Sequence, residues 1–204
     1  MKCKLNSMES AERFSIHKIS HSDYLVTKYT GLPSFQHFQW LVDQVRGHAV
    51  NMQYYRGKKS TGNKKYQLNN SDKPGKARTL SIEDEVFITL MKLRLNLIED
   101  HIALRFNISR FCVSQILSTW LPFLAAELKP FIYWPTQQEI LSYYPHCFKQ
   151  YDGCVRCIID CTEIRIQRPS LALTNNAVYS QYKSSPTLKV LIGITPGATI
   201  SFIS

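Results

Sequence analysis

The sequence changes periodicity once, at Pro145, and that change limits what it can fold into. Before Pro145, apolar residues recur at three- and four-residue steps, as they do along helices. After it, isoleucine-rich runs and alternation take over, as they do along strands. Helices followed by strands make the chain α+β. With 204 residues it can hold one sizeable core, or two or three small modules.

The helical part carries its own start signals. Ser34 is placed to cap a helix from Phe35 to Val45, with Phe38, Leu41, Val42 and Val45 on one apolar face. Ser81 with Asp84 forms a capping-box pattern in "LSIEDEVFITLMKLRLNL", where Val86, Leu90, Leu93 and Leu97 share a stripe. "IEDHIALRFNIS" predicts a short second helix ending near Asn107, and Ser109 caps a third, which Pro122 kinks or ends near Trp120. The tight "NIS" turn suggests a helix-turn-helix. Small Ala103 suits a close crossing, Ile108 plugs the turn, and Val113, Ile116 and Leu117 face inward. Arg110, Ser114 and Gln115 then stand on the outer face, where they can meet phosphates or base edges. A plain helical bundle uses the same apolar positions, and Glu99 and Asp100 oppose the basic charge. Thr136 with Glu139 caps a last helix over 137–143.

Charge matters at one segment above all. The formal net charge is +10, which favours an anionic partner, nucleic acid before an acidic membrane surface. Residues 56–79 hold Lys58, Lys59, Lys64, Lys65, Lys76 and Arg78 among others, with Asp72 the only acid. This is a cationic linker, either solubilising or touching phosphate and directing nuclear import. No uninterrupted apolar run reaches the length of a spanning helix, and the amino terminus lacks a secretory h-region. Six cysteines fit a reducing compartment, mostly as small apolar side chains.

Strands are expected over 155–166, 188–194 and 199–203, with "TPG" at 195–197 as a type II hairpin turn. Strand alternation puts Cys154 on one face and Cys157 and Cys161 on the other, which argues against zinc and for buried thiols. Asp160 shares a face with Arg156, Ile158 and Thr162, and Glu163 points the opposite way. A divalent metal, or an exposed strand edge with a backbone bond, would each account for Asp160.

Four stretches resemble the transposase-derived DDE superfamily endonucleases, in the branch related to PIF/Harbinger-type elements. They are "YTGLPSFQHFQWLV" (29–42), "LSIEDEVFITLMKLRLNLIEDHIALRFNISRFCVSQILSTW" (80–120), "IYWPTQQEILSYYPHCF" (132–148), and "VRCIIDCTEIRIQRPS" with "YSQYKSSPTLKVLIGITPGATISFIS" (155–170, 179–204). The resemblance implies a helix-turn-helix region followed by the first strands of a ribonuclease H-like α/β domain. Its organisation would be a flexible tail (1–23), a small helical segment (24–55), the basic linker (56–79), a helix-turn-helix (80–128), a connector (129–153) and an incomplete catalytic domain (154–204). Asp160 matches the family's first metal-binding aspartate, with Mg²⁺ or Mn²⁺ as the cofactor of a complete relative. The second and third acids lie beyond Ser204 in the family, so the sequence reads as a fragment, a truncated gene model or a domesticated remnant. DNA is the implied partner and the nucleus the implied location. The incomplete sheet leaves room for a protein partner or self-association, and no membrane is implicated.

Overall fold

The computed structural model describes residues 13–55, 79–151 and 155–204. The chain divides into two compact units, Met1–Glu127 and Leu128–Ser204.

In the first unit, Ser22 caps α1 (Asp23–Thr30) by accepting from Leu25 N, and Gly31 ends it at φ 81°, a left-handed position that suits glycine. The sequence reading missed this helix. Ser34 caps α2 (Phe35–Ala49) as expected, and Phe38, Leu41, Val42 and Val45 are all buried. Ser81 caps α3 (Ile82–Leu95). Its expected stripe is corrected. Glu85 to Thr89 are buried in succession while Leu93 is exposed, because α3 runs through the middle of the bundle and is covered on several sides. Residues 13–19 also depart from the flexible tail expected over 1–23. Phe14 donates its N–H to Arg105 O at 3.0 Å, and its ring meets Phe87 and Phe106 at 5.5 and 5.7 Å between centroids. Ile16 and Ile19 are buried beside it. An aromatic and two isoleucines among polar neighbours were signal enough for a packed segment.

The turn between α4 (Glu99–Phe106) and α5 (Arg110–Leu128) has a simple basis. Asn107 adopts φ 50°, ψ 50° and donates to the end of α4, and Ile108 N donates to Ala103 O at 3.0 Å. Ser109 Oγ accepts from Cys112 N at 3.2 Å, so α5 begins at Arg110, three residues after α4's cap. Ala103 is buried at the crossing, as its size predicts. Pro122 neither ends nor shortens α5. It sits on the exposed side, where water can satisfy the Ser118 carbonyl that its missing N–H leaves free. Arg110–Phe131 is also long and apolar enough by composition to cross a membrane, although its apolar residues are interrupted by polar ones. Its Val113, Ile116, Leu117, Trp120 and Leu124 are buried in the protein, as in a core helix.

The second unit starts with α6 (Gln137–Ser142), closed by the expected capping box of Thr136 and Glu139. Its sheet contains β1 (Ile158–Arg165), β2 (Tyr179–Ser180), β3 (Ser185–Ile194) and β4 (Ile200–Ile203), with an unforeseen helix α7 (Ala172–Val178) after β1. β3 is central. β1 pairs antiparallel along it from Ile158↔Ile194 to Arg165↔Thr187, and β2 and β4 pair with its two ends. The outer edge of β1 has no strand partner among the described residues. Such an edge can accept another strand.

The β3–β4 turn corrects the type II expectation. The positive φ falls on Ala198, at 65°, and not on Gly197. Ala198 N donates to Thr195 O, and Thr195 N to Thr199 O, both at 2.9 Å, the pattern of a longer hairpin loop closed by a left-handed residue. Gly197 is needed for a different reason: a Cβ there would stand 3.1 Å from Tyr143 O. Ala198→Gly should therefore stabilise the chain by up to about 1 kcal/mol, since alanine tolerates this backbone poorly. A urea midpoint that falls on this substitution would refute the turn geometry.

Candidate nucleic-acid interface and acidic site

α4 and α5 present the first turn of α5 to solvent through Ser109, Arg110 and Phe111. Arg110 is held by carboxylates, its Nε 3.2 Å from Glu99 Oε2 and its Nη1 3.8 Å from Asp100 Oδ2. The opposing acids read from the sequence thus become direct partners of the arginine. Ser114 and Gln115 lie one turn on and are half-buried, so they project less than Arg110. Arg105 is committed to packing, with its guanidinium over the Phe14 and Tyr29 rings at 5.8 and 5.9 Å. Lys58, Lys59, Lys64, Lys65, Lys76 and Arg78 lie outside the described residues.

Asp160 lies on β1, as expected, and its side chain is exposed. Sheet geometry explains its hydrogen bond to the backbone. Leu191 turns its N–H and C=O to Ser204, so Cys161, opposite Leu191, forms a non-hydrogen-bonded pair and points its N–H to the open edge. Asp160 Oδ1 accepts that N–H at 2.8 Å. Its cross-strand partner is Ile192, which pairs in turn with Ile203, so the carboxylate stands on an apolar sheet face. The exposed, backbone-bonded aspartate is thus the geometry observed.

Glu163 is occupied elsewhere. The Ser180 hydroxyl beside it holds its carboxyl below the ordinary range, aided by the Thr187 hydroxyl, which donates to Oε2 at 3.2 Å, and by Lys189 and Lys183. It ties β1 to its neighbours. The buried-thiol expectation needs correction. Cys161 is exposed and Cys157 half-buried. Cys157 Sγ sits 2.9 Å from where a Cβ on Gly193 would be, so that glycine makes its room. Cys154 lies outside the described residues. No group of three His, Cys, Asp or Glu able to hold a metal occurs among the described residues. A two-metal phosphodiester site needs several carboxylates around the ions, and Asp160 alone does not fit one.

Residues 78–130 match the helix-turn-helix of DDE superfamily endonuclease, and residues 159–204 match the DDE superfamily endonuclease model itself. Both matched segments are those of the DDE superfamily endonucleases. The helix-turn-helix region precedes part of the catalytic domain, as in a transposase-derived member of that superfamily. No curated protein and no solved structure matches the chain. The superfamily carries an association with Mg²⁺ or Mn²⁺ nucleases, and β1 begins one residue before the second match.

The sequence reading passed over the run Phe131, Ile132, Tyr133 and Trp134, all of which are exposed. Four bulky residues in succession beside a proline were the available signal.

Proposed function

We propose that this chain is a DNA-binding, transposase-derived protein of the PIF/Harbinger-like branch that does not cleave DNA by itself. The observation that carries this reading is the α4–α5 turn, which brings Arg110 to an exposed helix start in a chain of net charge +10. Arg110 would contact a phosphate, and Ser114 and Gln115 would approach base edges as the helix settles in the groove. Lys58, Lys59, Lys64, Lys65, Lys76 and Arg78 would add sequence-independent attraction. A DNA partner makes the nucleus the site of action.

Asp160 is proposed as the counterpart of the first metal ligand in relatives that hydrolyse DNA phosphodiesters. A bound Mg²⁺ or Mn²⁺ would supply charge stabilisation and an activated oxygen there. No group of three metal-holding side chains forms among the described residues, and Asp160, open to solvent, would hold an ion only weakly. The expected result is no cleavage of supercoiled or linear duplex DNA with either metal. Robust nicking that disappears in Asp160→Ala would overturn the reading, because it would require further ligands to assemble around this residue.

A further inference from the structure

The 131–134 run leads into a second arrangement that the helix-turn-helix does not explain. Trp134 is 50% exposed, and its ring lies 6.4 Å from that of Phe202 at an interplanar angle of 28°. The Arg156 guanidinium sits 5.8 Å from the Trp134 ring centroid. That guanidinium is itself anchored, with Nη2 donating to Pro135 O at 3.4 Å. Phe202 is fixed in turn on β4, opposite Gly193 of β3. The indole is thus held in place by a strand-borne ring and a tethered cation, and half of the residue stays in solvent.

A tryptophan in a core hides its ring, whereas Trp134 keeps half of its surface in solvent. Here the ring offers π-surface for stacking, and the guanidinium offers donors beyond the one used on Pro135. Aromatic surface beside fixed positive charge is the combination that binds nucleobases and their phosphates together. A duplex keeps its base faces inside its own stack, so only unpaired nucleotides can use such a platform. The strongly basic chain supplies the long-range attraction.

We propose that Trp134 and Arg156 form a stacking site for unpaired nucleotides, on the unit that also carries Asp160 and separate from the helix-turn-helix. The base stacks on the exposed indole, and Arg156 meets the neighbouring phosphate. Tyr133, also exposed beside Trp134, extends the aromatic surface. The proposal rests on the DNA-binding reading for the identity of the polymer, but not for the location of the site.

The test uses the whole chain with a labelled oligothymidylate and a labelled duplex, read by fluorescence anisotropy at one salt concentration. Trp134→Ala should weaken oligothymidylate binding about tenfold and leave duplex binding within twofold. Arg156→Gln should weaken the oligothymidylate several-fold by the same route. Trp134→Phe keeps a ring on Phe202 and should keep most of the affinity, while the tryptophan quenching caused by oligothymidylate disappears. Quenching that persists in Trp134→Phe would place the contact at another tryptophan and overturn the proposal, whatever happens to the stability of the alanine variant. Equal weakening of both nucleic acids, or of neither, would also overturn it. Failure of the duplex to bind wild-type protein would instead count against the helix-turn-helix reading.

Discussion

Glu85→Ala is expected to destabilise the helical unit by about 3–5 kcal/mol, enough to remove much of the stability of an ordinary domain. Glu85 is completely buried in α3. Trp120 Nε1 on α5 donates to its Oε2 at 2.7 Å, and the Tyr54 hydroxyl donates to its Oε1. The carboxylate therefore joins α3, α5 and the segment after α2. Alanine would strand a buried indole N–H and would open a cavity beside Trp120. Glu85→Gln keeps the shape and one acceptor, and a tyrosine hydroxyl can reverse its role, so the expected loss is smaller, about 1–2 kcal/mol. Trp120→Phe removes one donor and should make the Glu85→Gln loss smaller in a double-mutant cycle, because the two changes act on one bond. Urea unfolding of the whole chain followed by far-ultraviolet circular dichroism reads all three. An alanine variant within about 1 kcal/mol of wild type would show that the buried carboxylate is not a tie but a tolerated cost.

Helix starts were legible because each is a local bargain between one side chain and one backbone N–H. Ser34, Ser81, Ser109 and Thr136 all cap as their positions suggest. The α4–α5 turn was legible for the same reason, through Asn107 and Ala103. What escaped depended on neighbours distant in sequence. Leu93 continues the apolar stripe of α3 but is exposed, whereas Glu85 breaks the pattern and is buried, since Trp120, some 35 positions away, supplies its partner. Phe14 joined the core only because Phe87 and Phe106 converge on it.

Asp160 shows the same division within the sheet. Alternation fixed its face and separated it from Glu163, and its place on β1 followed from the isoleucine-rich run. Its exposure did not follow, because an apolar neighbourhood in sequence does not say whether anything covers that face. The exposed Ile164, Leu188 and Ile203 around it show a face open among the described residues. Of the two accounts open for Asp160, a metal or an exposed edge with a backbone bond, the structure has the second, and water and one edge N–H are sufficient.

Duplex affinity should fall about 100- to 1,000-fold between about 50 and 200 mM monovalent salt, if about four to six phosphates are neutralised. Arg110 is the phosphate contact proposed above, and the slope tests it. It is exposed yet bound to Glu99 and Asp100, an arrangement worth at most about 1 kcal/mol at a surface. A phosphate can outcompete such a pair, and each carboxylate left nearby then repels the DNA. Arg110→Ala should accordingly reduce the salt slope by about one and weaken binding at low salt. Replacing Glu99 by Gln and Asp100 by Asn should do the reverse, raising low-salt affinity several-fold at little cost in stability, because it releases the arginine and removes the repulsion. An Arg110→Ala slope equal to that of wild type would move the phosphate contact off α5 and leave the lysines of the basic segment to carry it. Charge reversal at Lys58, Lys59, Lys64 and Lys65 would then have to abolish binding. If affinity does not vary with salt at all, phosphate recognition by either element is ruled out.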